Sequence, residues 1–148
     1  MFGVKFCILF FALALFPWPF IFAQQAVIRD LSGTVELKLP GSQTWTNARA
    51  GHALAGDTVI STGFRSTALL AIGNSLLTVR PLTCLSITEL SRRNDTEYSD
   101  VNLQAGRVRA EVNPPSDAKI EFTVRSSSAT ASVRGTLFEF QYPLSLCI

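Results

Sequence analysis

The sequence predicts an all-β domain, with short strands stacked as a β-solenoid-like or β-sandwich arrangement behind an N-terminal signal helix. Three observations carry that reading. Apolar and polar residues alternate with period two through most of the chain after residue 23, as strands with one buried and one wet face require. Glycine, proline, asparagine and aspartate interrupt these runs at spacings of roughly 8–12 residues, the rhythm of short strands joined by tight turns. No stretch after residue 23 carries the apolar stripe of an amphipathic helix.

The first element is residues 1–23. Lys5 precedes a nearly unbroken apolar run, Phe6 to Phe22, and small Ala23 follows it. A basic start, an apolar middle and a small residue at the cut make a signal peptide, with cleavage expected after Ala23. Left uncleaved, the same run would be the chain's membrane contact. It is short for a span, which takes roughly 20 apolar residues, and Pro17 and Pro19 break a helix where a signal's apolar region ends. Cys7 lies at the start of the run, where lipidation is not expected.

Residues 24–142 form the expected β domain. Val35, Leu37 and Leu39 alternate with Glu36 and Lys38; Val108, Ala110 and Val112 with Arg109 and Glu111; Ile120, Phe122 and Val124 with Glu121, Thr123 and Arg125; Phe138, Phe140 and Tyr142 with Glu139 and Gln141. Two runs, Ala68–Ile72 and Leu76–Val79, are apolar at nearly every position and read as central strands covered on both faces. Turns are expected at Pro40-Gly41-Ser42, Gly51, Gly56-Asp57, Gly63, Gly73-Asn74, Ala105-Gly106, Pro114-Pro115 and Gly135. The polar segment Leu90–Asp100 reads as an exposed hairpin loop or a short insertion. Gly33-Thr34-Val35 and Gly106-Arg107-Val108 open alternating strands in the same way, a weak internal likeness that hints at stacked rungs without a fixed period. The tail, residues 143–148, loses the alternation.

Composition narrows the function. Loss of residues 1–23 removes Lys5 and leaves 12 basic against 11 acidic side chains, a net charge of +1, which gives no footprint for nucleic acid. Cys84 and Cys147 remain; Cys84 sits in an apolar strand pattern and reads as a buried free thiol. His52 is the only histidine, so neither a histidine metal cluster nor a histidine-based triad can be assembled, and it reads as an exposed turn residue. The carboxylates are scattered over wet strand faces and turns. No enzyme and no cofactor are expected. Arg134, interrupting an apolar stretch, and Trp45 are the two candidates for facing a partner. Against that, Arg134 reads as a structural guanidinium paired with an acid, and Trp45 as an edge plug.

Several segments in order resemble the FecR domain family. They are Gly33 with Val35, Trp45 with Ala48, the block Ala50-Gly51-His52-Ala53-Leu54-Ala55-Gly56-Asp57-Thr58-Val59-Ile60-Ser61-Thr62-Gly63, the strand Leu103 to Val108, and Val133-Arg134-Gly135-Thr136-Leu137-Phe138-Glu139-Phe140. The resemblance assigns turn-forming roles to Gly51, Gly56, Asp57, Thr62, Gly63, Gly106, Gly135 and Thr136. The family's Asp-Gly-Ser turn is replaced by Gly73-Asn74-Ser75, in which both leading residues tolerate positive φ.

What the resemblance implies is a domain outside the cytoplasmic membrane, periplasmic or secreted, with a role in signal relay. Only Met1 to Lys5 precede the apolar run, so the implied form is the stand-alone exported one, without a cytoplasmic sigma-factor segment. The expected function is a non-catalytic binding or sensing module contacting an envelope protein or polymer. The alternative is a structural or assembly component of the envelope, or a fragment of a larger FecR-domain surface protein truncated or frameshifted after Tyr142.

Overall fold

The computed structural model describes residues 25–117, 119–135 and 137–143; the expected signal segment, Cys7, Thr136 and the tail from 144 lie outside them. The all-β expectation holds. The strands are β1 (Ala26–Ser32), β2 (Val35–Lys38), β3 (Thr46–Asn47), β4 (Ala53–Leu54), β5 (Val59–Thr62), β6 (Thr67–Ile72), β7 (Ser75–Val79), β8 (Cys84–Arg93), β9 (Thr96–Val112), β10 (Lys119–Arg125), β11 (Thr130–Val133) and β12 (Leu137–Tyr142).

Their pairing describes one sheet folded along a line. β1 pairs with β6 while β2, directly after it, pairs with β5. β7 pairs with the second half of β9, and β8 with the first half. β6–β7 and β5–β8 complete the ladders. Read together, β1–β2, β5–β6, β7–β8 and β9 are four long bent strands in an antiparallel meander. Each bends at the same level, and the two leaves face one another. The upper leaf runs β4-β1-β6-β7-β9-β12 and the lower leaf β3-β2-β5-β8-β9-β10-β11. Every described ladder is antiparallel except β9–β10, and the whole is one open sheet curled over on itself.

The core lies between the leaves and draws on both. Ile28, Leu70, Leu77 and Val108 come from the upper leaf, and Leu37, Ile60, Leu85, Leu103 and Phe122 from the lower, all in one buried cluster. Alternation explains it: each strand turns every second residue inward, and those positions are the apolar ones. At ~25 cal/mol per Å², burying each of these side chains contributes about 1.5–3 kcal/mol, offset by the chain entropy lost.

Two expectations need correction. In Ala68–Ile72 and Leu76–Val79 only one face is fully buried; Leu69, Ala71 and Leu76 stay half-exposed on the outer face. A continuous apolar run thus does not mean two covered faces here. The polar segment Leu90–Asp100 is mostly strand. β8 continues to Arg93 and β9 starts at Thr96. Asn94 and Asp95, at φ 46° and 60°, make the two-residue type I′ turn that matches strand twist. The polarity there marks strand ends on a wet face, with Leu90 and Ser99 still turned inward.

Candidate interaction surface

Most of the motif residues belong to turns. At the fold line the chain crosses between the leaves at Gly33, Gly63–Ser66, Arg80–Thr83 and Gly106. Gly106 sits at φ 96°, and along β9 the buried positions change from odd (Val101, Leu103, Ala105) to even (Val108, Ala110, Val112) around it. A side chain there would place its Cβ 2.4 Å from Thr83 Oγ1 and 2.7 Å from the Leu82 carbonyl. Gly33, at φ 76°, is pressed against Ser66 in the same way, 2.4 Å from its Oγ. The likeness of Gly33-Thr34-Val35 and Gly106-Arg107-Val108 is therefore structural. Each is a glycine crossing laid on a hydroxyl, which accepts from the next backbone N–H: Thr34 N to Ser66 Oγ at 2.8 Å and Arg107 N to Thr83 Oγ1 at 3.0 Å.

Thr62 ties the two inner strands together. Its Oγ1 donates to the Arg80 carbonyl at 2.6 Å and accepts from Thr83 N at 3.0 Å. Thr83 Oγ1 in turn donates to the Arg107 carbonyl at 3.1 Å. Thr62, Ser66 and Thr83 are all buried, so these bonds satisfy backbone groups that water cannot reach. Sequence reasoning found Thr62, Gly63 and Gly106 but missed Ser66 and Thr83. The signal was parity: Ser66 continues the inward set Ala68, Leu70 and Ile72, and Thr83 continues Leu85 and Ile87.

The other motif residues lie apart from this line. Gly51, at φ 84°, donates its N–H to the Ile28 carbonyl at 2.7 Å. Asp57, at φ 63°, donates its N–H to the Ile87 carbonyl at 2.6 Å. Gly56 has only the Thr88 carbonyl near its Cβ position. Gly135, at φ 106°, abuts Pro114. The motif is thus a distributed set of turns, and it does not converge on one site. His52 is exposed beside Gly51, as expected.

Trp45 and Arg134 stand at opposite edges of the lower leaf, one just before β3 and the other just after β11, and cannot share a site. Trp45 is half-buried with Lys38 Nζ 5.9 Å from its ring centre. The Arg134 side chain is 78% exposed, and its guanidinium stands 3.8 Å from Glu121 Oε2. Arg134 borders a cleft of ≈ 620 Å³ with Tyr98, Pro114 and Lys119. An exposed pair of this kind contributes little to stability, which leaves the guanidinium available for contact.

Cys84 is disulfide-bonded, which overturns the free-thiol reading; its partner lies outside the described residues. Burial at 2% exposure was read correctly, but an apolar pattern reports burial and is silent on pairing. Its sulfur, 3.3 Å from Gln104 Oε1, then has no proton to donate.

The Asp100 carboxyl is displaced from its ordinary range. Burial raises it above its ordinary value of 3.8, outweighing Arg125, whose Nε lies 2.8 Å from Oδ2; the neighbouring Glu89 adds to the rise. Glu97 is buried and accepts from Asn74 N and Nδ2 at 3.2 and 2.9 Å. It pins the Gly73-Asn74 turn of the upper leaf to the lower leaf, at the side away from the fold line. Of that turn only Gly73 takes positive φ.

Residues 58–143, from β5 through β12, match the family model described as FecR protein. The chain belongs to the FecR family. No curated protein and no solved structure matches it. The matched span covers the fold line's inner strands and the β9–β12 region. Gly33, Trp45, Gly51, Gly56 and Asp57 lie ahead of it, so for those positions the resemblance rests on their own spacing. In FecR terms, Thr62, Gly63, Gly106 and Gly135 fall within the match, and each is a backbone device. Exposed apolar side chains occur at Leu39, at Phe64 and Leu82 by the fold line, and at Leu137 on the last edge of the domain. There Val133, Phe138, Phe140 and Tyr142 are apolar yet only partly buried against the core.

Proposed function

We propose that this FecR domain is an extracytoplasmic sensing module, which contacts another component of the cell envelope and performs no chemistry itself. The observation that carries the reading is the FecR match over β5–β12, since FecR domains serve regulation and sensing. The signal-like residues 1–23 support export and a periplasmic or secreted location. Three features of the described residues agree with a binding role. The motif residues are occupied with backbone turns, His52 stands alone on a surface turn, and no group of three or more metal-type ligands gathers. Recognition then falls to strand edges and surface clefts.

The test is cross-linking in intact cells of the host. The full chain, carrying a photo-reactive residue at surface positions such as Arg134, is irradiated before fractionation. The expected result is release of the chain with the periplasmic or extracellular fraction and one reproducible cross-linked envelope protein or glycan. Recovery in the cytosol, or irradiation that repeatedly yields no adduct at any position, sinks the reading.

A further inference from the structure

The two leaves end unevenly. Past β9 the lower leaf has two more strands, β10 and β11, while the upper leaf has only β12. β12 lies over β10: the Phe138 and Phe122 rings meet edge-on with centres 6.4 Å apart, and the Tyr142 hydroxyl is hydrogen-bonded to Ser127 Oγ in the β10–β11 turn. Among the described residues no strand lies over β11. Its inward side chains, Ala131 and Val133, oppose Val124 and Phe122 across the ladder and are only half-buried. Beside them runs the outer edge of β12, which no strand among the described residues pairs and where every second residue turns its N–H and C=O away from β9. No lysine, proline or bulge interrupts Leu137–Tyr142, and its one charge, Glu139, is held by Arg107 on the outer face. The result is a step one strand wide, with backbone groups along one wall and an apolar floor.

We propose that this step accepts an extended segment of a partner protein, which adds to β12 as the next strand of the upper leaf. The proposal rests on the sensing-module reading and names its contact surface. A second folded copy does not fit. Two β12 strands paired about a two-fold axis would set β11 of one copy where β10 of the other must lie. A contact through one strand alone would also be small for two folded domains, well under the ~1,000 Å² of a stable interface. A single strand avoids that clash, and backbone bonds along β12 rather than buried area carry its contact. The walls define its chemistry. Facing inward it meets Ala131, Val133, Phe138 and Phe140 and needs apolar side chains at alternate positions. Facing outward it runs beside Leu137, Glu139 and Gln141. Arg107 already bonds Glu139 at 3.3 Å and Gln141 at 2.8 Å, so uncharged polar residues suit that face. The ladder supplies affinity and the alternate side chains supply choice.

The experiment uses the full chain and a synthetic peptide of about eight residues alternating valine and threonine. Amide hydrogen exchange should show protection gained along β12 on binding. Two N-methylated forms, blocked at the valines or at the threonines, each close one edge of the peptide. One form should lose affinity about ten-fold or more and the other should bind as the parent does. Equal binding by both forms, protection on β11's outer edge instead of β12, or no binding overturns the proposal. So does a dimer in sedimentation whose β12 amides are protected without peptide. The same peptide is then added to the cross-linking experiment. An adduct that forms but is not displaced removes the strand-addition proposal and leaves the sensing-module reading standing. Absence of any adduct alongside edge-selective peptide binding does the reverse.

Discussion

The fold line and the β11–β12 edge are made from the same kind of sequence and end in opposite conditions. At the fold line, inward-pointing positions carry Thr62, Ser66 and Thr83, whose hydroxyls each bond backbone across a strand boundary, and glycine fills the remaining space to contact. At the edge, inward-pointing positions carry Val133, Phe138 and Phe140, which find a core on one side only. Polar side chains are buried where the chain must turn, and apolar side chains are left open where the sheet stops. Alternation alone therefore tells which way a residue points. Whether anything meets it there depends on strand order.

That contrast can be broken by mutation, beginning at the fold line. Gly106→Ala forces a Cβ into the Thr83 backbone at a φ that L-residues rarely adopt. The expected loss is about 4 kcal/mol or more, combining strain with overpacking, read as a collapse of the urea midpoint. Retention of near-native stability would mean that the crossing is slack.

Core truncation comes next. Leu77→Ala, at 0% exposure, should cost about 3–4 kcal/mol, while Val133→Ala at the open edge should cost about 1 kcal/mol or less. Equal losses in denaturant titration would show that something covers the edge in solution. Thr62→Val keeps the shape but strips Thr83 N and the Arg80 carbonyl of their partner; about 2 kcal/mol is expected for the unsatisfied groups. Thr46→Val, whose hydroxyl is part-buried at the opposite rim, should change stability by about 0.5 kcal/mol or less.

The smallest effect concerns pH. Asp100 is raised above its usual value in the folded state, so the folded domain holds that proton more tightly than the unfolded chain. Its contribution to stability is greatest below the ordinary aspartate range, falls as pH rises through the folded pKa, and is constant above it. Asp100→Asn should remove that slope. An Asp100 carboxyl that titrates by NMR below 3.8 would reverse the sign.

Much of this fold is legible in the sequence. Val35 and Leu37, Val108 and Ala110, and Ile120, Phe122 and Val124 were assigned to buried faces by their spacing, and all are buried. Turn residues were legible because Asp57, Gly51, Gly106 and Gly135 need backbone conformations few residues tolerate. Strand order was not legible. Nothing local states that β10 returns parallel to β9 or that β12 crosses to the other leaf, because such pairings are chosen by the whole chain. The step beside β12 follows from that order, so the candidate surface was hidden even though Phe138 and Phe140 were seen. The Cys84 disulfide was missed for the same reason.

The fold line also governs how the domain can move. There the chain crosses from leaf to leaf four times, at Gly33, Gly63–Ser66, Arg80–Thr83 and within β9, so the leaves cannot slide across one another without tearing the backbone bonds at every crossing. Parting them on the far side would break the Glu97–Asn74 clasp, the Gly135–Pro114 contact and the Phe138–Phe122 ring contact, and would open the core the leaves share. A pull delivered to the β12 rim reaches that clasp by two routes, through β9 directly and through β10, which packs under β12 and pairs with β9 at Glu97. The architecture is that of a closed cover whose spine is stiff and whose far side is shut by packing, with the buried Glu97 carboxylate as a polar tie across it.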